Sequence, residues 1–188
     1  MKKLFLFFAF AFLSNTASAQ TTWKVDPMHS FASFNIKHMG ISFVEGRFDK
    51  MDGTVTTTGN ALNNAKFDFM IDVNSINTNV EMRDNHLKSA DFFEAEKFPA
   101  MKFVSTSIKK GKGNSYILTG NLTIKDVTKK VSVPVTYGGI AKNQQGKEVL
   151  GFQTNFIINR LDYNIKYDPT GGAVAKYVDI KLFVELVK

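Results

Sequence analysis

The chain has 188 residues, is 44% hydrophobic, carries a formal net charge of +7, and contains 13 Gly, 4 Pro and no Cys. That length suits one domain, and so few Pro and Gly exclude collagen-like and low-complexity classes. Without Cys there is no disulfide framework, Cys-ligated zinc, iron–sulfur cluster or thiol nucleophile. The 18 Phe against a single Trp are unusual for so short a chain.

Residues 1–19 read as a secretory signal peptide. Lys2 and Lys3 form a basic n-region, Leu4 to Leu13 is an unbroken apolar run, and Ala17-Ser18-Ala19 offers small residues for cleavage after Ala19. An apolar run of ten residues at ~1.5 Å each reaches about half of a ~30 Å hydrocarbon core, so a membrane anchor is disfavoured. The expected location is a bacterial periplasm or exterior. Residues 20–188 then carry +5, which suits solubility and allows transient contact with an anionic membrane surface. Export and the lack of interleaved basic and aromatic strand faces argue against a nucleic-acid partner.

Period-two alternation recurs along residues 20–188 and predicts an all-β domain. A short strand starts at Trp23-Lys24-Val25. Ala32, Phe34 and Ile36 then share a face, and a weaker strand spans Gly46–Thr57. Phe67, Phe69, Ile71 and Val73 form the next apolar row. Asn79 to Ala90 breaks the alternation with helical spacing. There Thr78-Asn79-Val80-Glu81 has the form of a capping box, and Val80, Leu87 and Ala90 form an apolar stripe. Such a helix is expected to cover a seam or mouth of the sheet.

Strands resume at Met101–Lys109, followed by Leu118, Gly120, Leu122 and Ile124. Val131, Val133, Val135 and Tyr137 come next, then Leu150, Phe152, Thr154, Phe156 and Ile158, and last Val178, Ile180, Leu182, Val184 and Leu186. Turns are expected at Lys110–Asn114, from Gly138-Gly139 to Gly146, and at Pro169–Gly172. Eight or nine strands with one apolar face each predict a closed or nearly closed antiparallel barrel. Eight strands leave an interior that side chains either fill or line around one ligand.

The chemical candidates are few. His29, His38 and His86 are the only histidines. His29 and His38 are an odd number apart and face opposite sides of a regular strand, so no metal site is expected. Asp26, His29 and Ser30 invite a hydrolase reading, but adjacent His29 and Ser30 point oppositely if extended and no nucleophile elbow is present. No catalytic residue is expected. Arg83, Asp84, His86 and Arg160 have two readings. They either meet a ligand's polar head group or pin the helix to the barrel, with Asp91 or Asp162 as the expected partner in the Arg83–Asp84 network. Phe92 and Phe93 follow the helix and anchor into the core or line a mouth.

Trp23-Lys24-Val25-Asp26-Pro27-Met28-His29-Ser30 with Phe34 and His38, Ser75-Ile76-Asn77-Thr78, and Arg83-Asp84-Asn85-His86-Leu87 running to Asp91-Phe92-Phe93 are stretches that resemble the YceI family of exported polyisoprenoid-binding proteins. Further on stand Phe98-Pro99, Phe103–Thr106, Gly120–Ile124, Val127–Val131, Asn159-Arg160-Leu161-Asp162-Tyr163 and Gly171-Gly172. The order is kept across residues 20–188. Lys125-Asp126-Val127 departs from it, since the family more often has Gly before that Val; a tolerated turn change is expected.

The resemblance implies a single lipocalin-like, eight-stranded antiparallel β-barrel with one short helix, holding an isoprenoid, isoprenoid quinone or fatty-acid-like chain in an apolar tunnel. It implies no established catalytic activity and no cofactor beyond that lipid. The expected lining, taken from the inward rows, is Phe34, Ile36, Phe67, Phe69, Ile71, Phe103, Leu118, Leu122, Val133, Phe152, Phe156 and Leu182. Burying about twenty carbons at ~0.8 kcal/mol each gives roughly 16 kcal/mol before the costs of ordering and association. The lipid is the expected partner, and a homodimer is compatible with the composition.

Overall fold

A computed structural model describes residues 19–58 and 61–188. The leader assigned to residues 1–19 lies outside them except for Ala19. Alternating apolar and polar side chains put each strand's apolar face inward, and the strands join in one antiparallel sheet.

β1 (Gln20–Val25) and β2 (Phe31–His38) are successive segments of one bent stave, as are β3 (Ser42–Phe48) and β4 (Met51–Thr58). β1 pairs with β4 and β2 pairs with β3, so the bend falls at matching points of both. Thus the expected strand at Gly46–Thr57 is interrupted at Asp49-Lys50. β5 (Ala61–Asp72) pairs with β4, and the two-residue β6 (Ile76–Asn77) continues it against β3. β7 (Ala100–Lys110), β8 (Ser115–Ile124), β9 (Val127–Lys142), β10 (Glu148–Asn159) and β11 (Val174–Val187) then follow as a meander. β11 pairs with β2 along most of its length and with β1 at its end, which closes an eight-stranded barrel. Closure removes free sheet edges.

One turn differs from the sequence reading. β9 runs on through Gly138-Gly139 to Lys142, and the hairpin turns instead at Asn143–Lys147. There the Asn143 side chain accepts from the Gln145 and Lys147 amides. At Lys125, next to the Asp126 that stands where the YceI resemblance favours Gly, the backbone is left-handed with φ 53°. The Lys125 side chain compensates: it is nearly buried, its ammonium donates to the Asn164 carbonyl at 3.3 Å and it lies 3.8 Å from Glu94.

The single α-helix among the described residues, α1 (Glu81–Lys88), is shorter than the expected 79–90. Asn79 is left-handed (φ 61°) and Val80 is extended, so neither can join the first turn. The expected capping box does not form, because Val80 is the N-cap and makes no side-chain cap bond. Val80 is exposed and so is Ala90; of the expected stripe only Leu87 turns inward.

Two apolar clusters lie toward the barrel's ends. The base cluster centres on Trp23, Val55, Phe67, Leu150 and Leu186, and Trp23 Nε1 donates to Thr57 Oγ1 at 3.1 Å. The opposite cluster lies under α1 and contains Val73, Phe92, Ile124, Tyr163 and Ile165.

Candidate functional site

Between these clusters the inward rows do not meet. They enclose an apolar tunnel with a cavity volume of about 200 Å³. All the expected lining residues except Phe67 stand in its wall: Phe34, Ile36, Phe69, Ile71, Phe103, Leu118, Leu122, Val133, Phe152, Phe156 and Leu182. Phe67 is a correction. It lies below the tunnel, 1% exposed, with its ring edge-on to Phe152 at 5.5 Å, and so belongs to the closed base.

Large phenylalanines leave this hollow open because glycines sit beside them. Phe34 pairs with Gly46 across β2 and β3, and a Cβ on Gly46 would stand 2.3 Å from the Phe34 ring. Gly120 likewise receives the Phe103 ring, at 2.5 Å from such a Cβ, and Gly53 receives Phe69 at 2.5 Å. Each ring lies flat in the space a side chain would occupy on the neighbouring strand. The wall is therefore aromatic and thin, and the axis stays free.

The mouth is built by α1 and two irregular segments. Leu87, Phe92 and Phe93 cover one lip, and Ile165 and Val174 the other. Phe93 meets Phe48 edge-on at 5.9 Å, and Phe92 stacks within 4.7 Å of Tyr167. Phe48, Ile165 and Val174 escaped the sequence reading because they lie at a bend, in a loop and at a bulged strand start, where period-two counting fails.

The four polar candidates have structural partners. The Thr78 amide and Oγ1 both donate to Asp84 Oδ1, at 2.9 and 2.5 Å. Arg83 donates back to Thr78 Oγ1 and to its carbonyl, both at 2.8 Å. Arg83 and Asp84 thus clamp α1 onto the buried Thr78 beside β6, and neither lines the tunnel. Neither aspartate expected in the Arg83–Asp84 network joins it, since Asp91 pairs with His86 at 2.9 Å and Asp162 with Lys129 at 3.4 Å. His86 also stacks edge-on against Phe92 and Tyr167.

Arg160 is the exception, a charged side chain in the tunnel wall and only 3% exposed. All five of its N–H groups are used. Nε donates to the Ala175 carbonyl, Nη1 to Ile165 and Tyr167, and Nη2 to Asp168 and Val174. It therefore gathers the 164–175 segment around one guanidinium, with no donor left for a head group. Burial pushes its pKa down, and the Asp168 charge partly restores it.

Asp168 organises the same segment. It accepts from Thr170 Oγ1 and from the Ala173 and Val174 amides, which holds its pKa well below the ordinary 3.8. A depressed carboxylate pKa means this contribution is fully present above pH ~4 and is lost as pH falls toward the folded-state value. Hydrogen-exchange protection of the Ala173 and Val174 amides is expected to stay flat above pH ~5 and to fall in more acidic solution. An Asp168→Asn variant should show low protection at every pH.

The hydrolase residues do not converge. His29 Nδ1 lies 2.9 Å from Asp26, which raises the imidazole pKa, but Ser30 Oγ instead donates to the Glu185 carbonyl at 3.1 Å. His29 is exposed on the outside of the barrel. Asp26, His29 and Glu185 cluster there, and none of His29, His38 and His86 borders the tunnel.

A closed antiparallel barrel with an apolar tunnel and a helix at its mouth defines a binding barrel for a small apolar ligand. Residues 23–186 match the model of the YceI-like domain, and the chain belongs to that family. It is 38% identical to "Protein YceI" of Salmonella agona over 192 residues, covering 100% of this chain and 99% of the relative. Among solved structures it resembles Burkholderia cenocepacia BcnA (29% identity, TM-score 0.76, 86% of this chain and 98% of that one). It also resembles the Campylobacter jejuni YCEI protein (32% identity, TM-score 0.73, 81% of this chain and 89% of that one). A polyisoprenoid binding domain from Saccharophagus degradans shares the fold at 15% identity and TM-score 0.72, over 88% of this chain and 97% of that one.

Proposed function

We propose that this protein binds a linear isoprenoid or closely related amphipathic lipid, with the chain sheathed in the tunnel, and acts as its carrier or scavenger outside the cytoplasm. The observation that carries this reading is the wall itself. Its phenylalanine, leucine, isoleucine and valine side chains are continuous from the base to the mouth, and its buried cation, Arg160, has every donor occupied. Such a surface offers a ligand dispersion and burial and almost no hydrogen bonding, which selects a chain of methyl and methylene groups over a sugar or peptide. The fold is one that a polyisoprenoid-binding domain uses. Selectivity then comes from tunnel length and bore.

The same wall argues for binding rather than catalysis, because a general base would have to border the ligand and the histidines do not. The leader at residues 1–19 supports a periplasmic or secreted location. Native mass spectrometry of protein purified from its own host tests the proposal. The expected spectrum shows a lipid-sized mass released on denaturation. A spectrum of the bare polypeptide, under conditions that preserve other lipid complexes, contradicts it.

A further inference from the structure

The turn that joins β2 to β3 is chemically at odds with its place in water. Met39 and Gly40 both have positive φ, 51° and 73°, and the Ile41 amide donates to the His38 carbonyl at 3.2 Å. This is a tight hairpin turn of the primed kind, whose first position favours Asn, Asp or Gly. Met there bears the left-handed strain that those residues avoid. It is also 60% exposed, next to Ile41 at 86% and Phe43 at 59%. Local folding explains none of these three choices.

The hairpin's position is informative. His38 pairs with Val174, and Ile36 pairs with Val44 and Val178, so the turn projects from the rim where Ile36 and Val174 line the tunnel. On the outer face Lys37 stands opposite Phe43, and Tyr177, 65% exposed, adjoins Val178 in the neighbouring strand. No acidic residue occurs between Phe31 and Val44. An apolar tip, an aromatic amphipathic side chain behind it and a flanking ammonium are the arrangement of groups that seat in a bilayer interface.

We infer that the β2–β3 hairpin docks the tunnel mouth onto an anionic bilayer, so that a lipid chain passes between membrane and barrel without crossing water. This rests on the lipid-carrier reading. It adds the surface through which loading occurs.

Met39→Asn tests it with little risk of misfolding, because Asn suits a left-handed turn position; Ile41→Asp removes the most exposed apolar group. Vesicles of phosphatidylcholine with phosphatidylglycerol are floated with each protein, and transfer of a fluorescent isoprenoid from them is timed. The parent chain should float with the anionic vesicles, and the double variant should lose about tenfold or more in both vesicle partition and transfer rate. Met39→Asn alone should lower partition while leaving the melting temperature equal or higher. Binding of the same probe delivered in detergent should not change.

Partition and transfer unaffected by the double variant would overturn the inference. So would parent self-association that the variant abolishes, since the hairpin would then be an interface between copies. If the parent fails to bind the probe in detergent, the carrier reading itself fails, separately from the hairpin.

Discussion

Gly46→Val is expected to shut the tunnel while leaving the barrel folded. The new Cβ would stand 2.3 Å from the Phe34 ring and 2.8 Å from Thr78 Cγ2, and its three nearest atoms all belong to side chains. The backbone therefore stays and the Phe34 ring must swing off the strand into the lumen. Such overpacking costs about 1–3 kcal/mol of stability. Lipid affinity should fall about a hundredfold or more, because the displaced ring takes the space of several methylenes worth ~0.8 kcal/mol each. Adding Phe34→Ala removes the obstruction and should restore binding, an outcome that loss of fold could not produce. Leu122→Arg provides the electrostatic counterpart, since an unpaired cation in this wall is heavily penalised against apolar ligand. Circular dichroism and a fluorescent-lipid titration report fold and binding side by side.

Arg160→Lys is expected to loosen the mouth more than any other conservative change. The guanidinium fans five donors to the Ala175, Ile165, Tyr167, Asp168 and Val174 carbonyls. An ammonium has three donors and no planar fork, so it leaves at least two of these contacts unmade and the rest badly aimed. With unsatisfied buried groups costing about 1–3 kcal/mol each, the expected loss is roughly 3–5 kcal/mol, read as a lower denaturant midpoint. Hydrogen exchange should localise the loss to residues 164–175, while the base around Trp23 and Leu186 keeps its protection. A destabilisation spread evenly over the chain would show that Arg160 is not the segment's anchor.

The inward rows were legible because burial on one face of a strand imposes a period of two. Phe69, Phe103, Phe152 and Leu182 could be placed in the interior by counting alone. Counting cannot give depth along the barrel axis, which is why Phe67 shares a row with Phe69 yet belongs to the base. It also fails where the backbone leaves the ladder, at Phe48 beside the Asp49-Lys50 bend and at Ile165 after a 3₁₀ turn. The capping-box pattern at Thr78 was sound as local chemistry. A competitor one turn further along displaced it: Asp84 accepts from the Thr78 hydroxyl while Asn79 turns left-handed. The glycines were visible in the strands, but their meaning was not. Only cross-strand neighbours reveal that Gly46 and Gly120 are recesses for Phe34 and Phe103.

The central claim is that the hollow, and not a set of polar contacts, holds the ligand. A calorimetric titration with isoprenyl probes of one head group and increasing tail length tests it most directly. The tunnel predicts affinity that climbs by about tenfold or more with each added isoprene unit and then levels once the bore is full. Affinity indifferent to tail length from the shortest probe onward would contradict it.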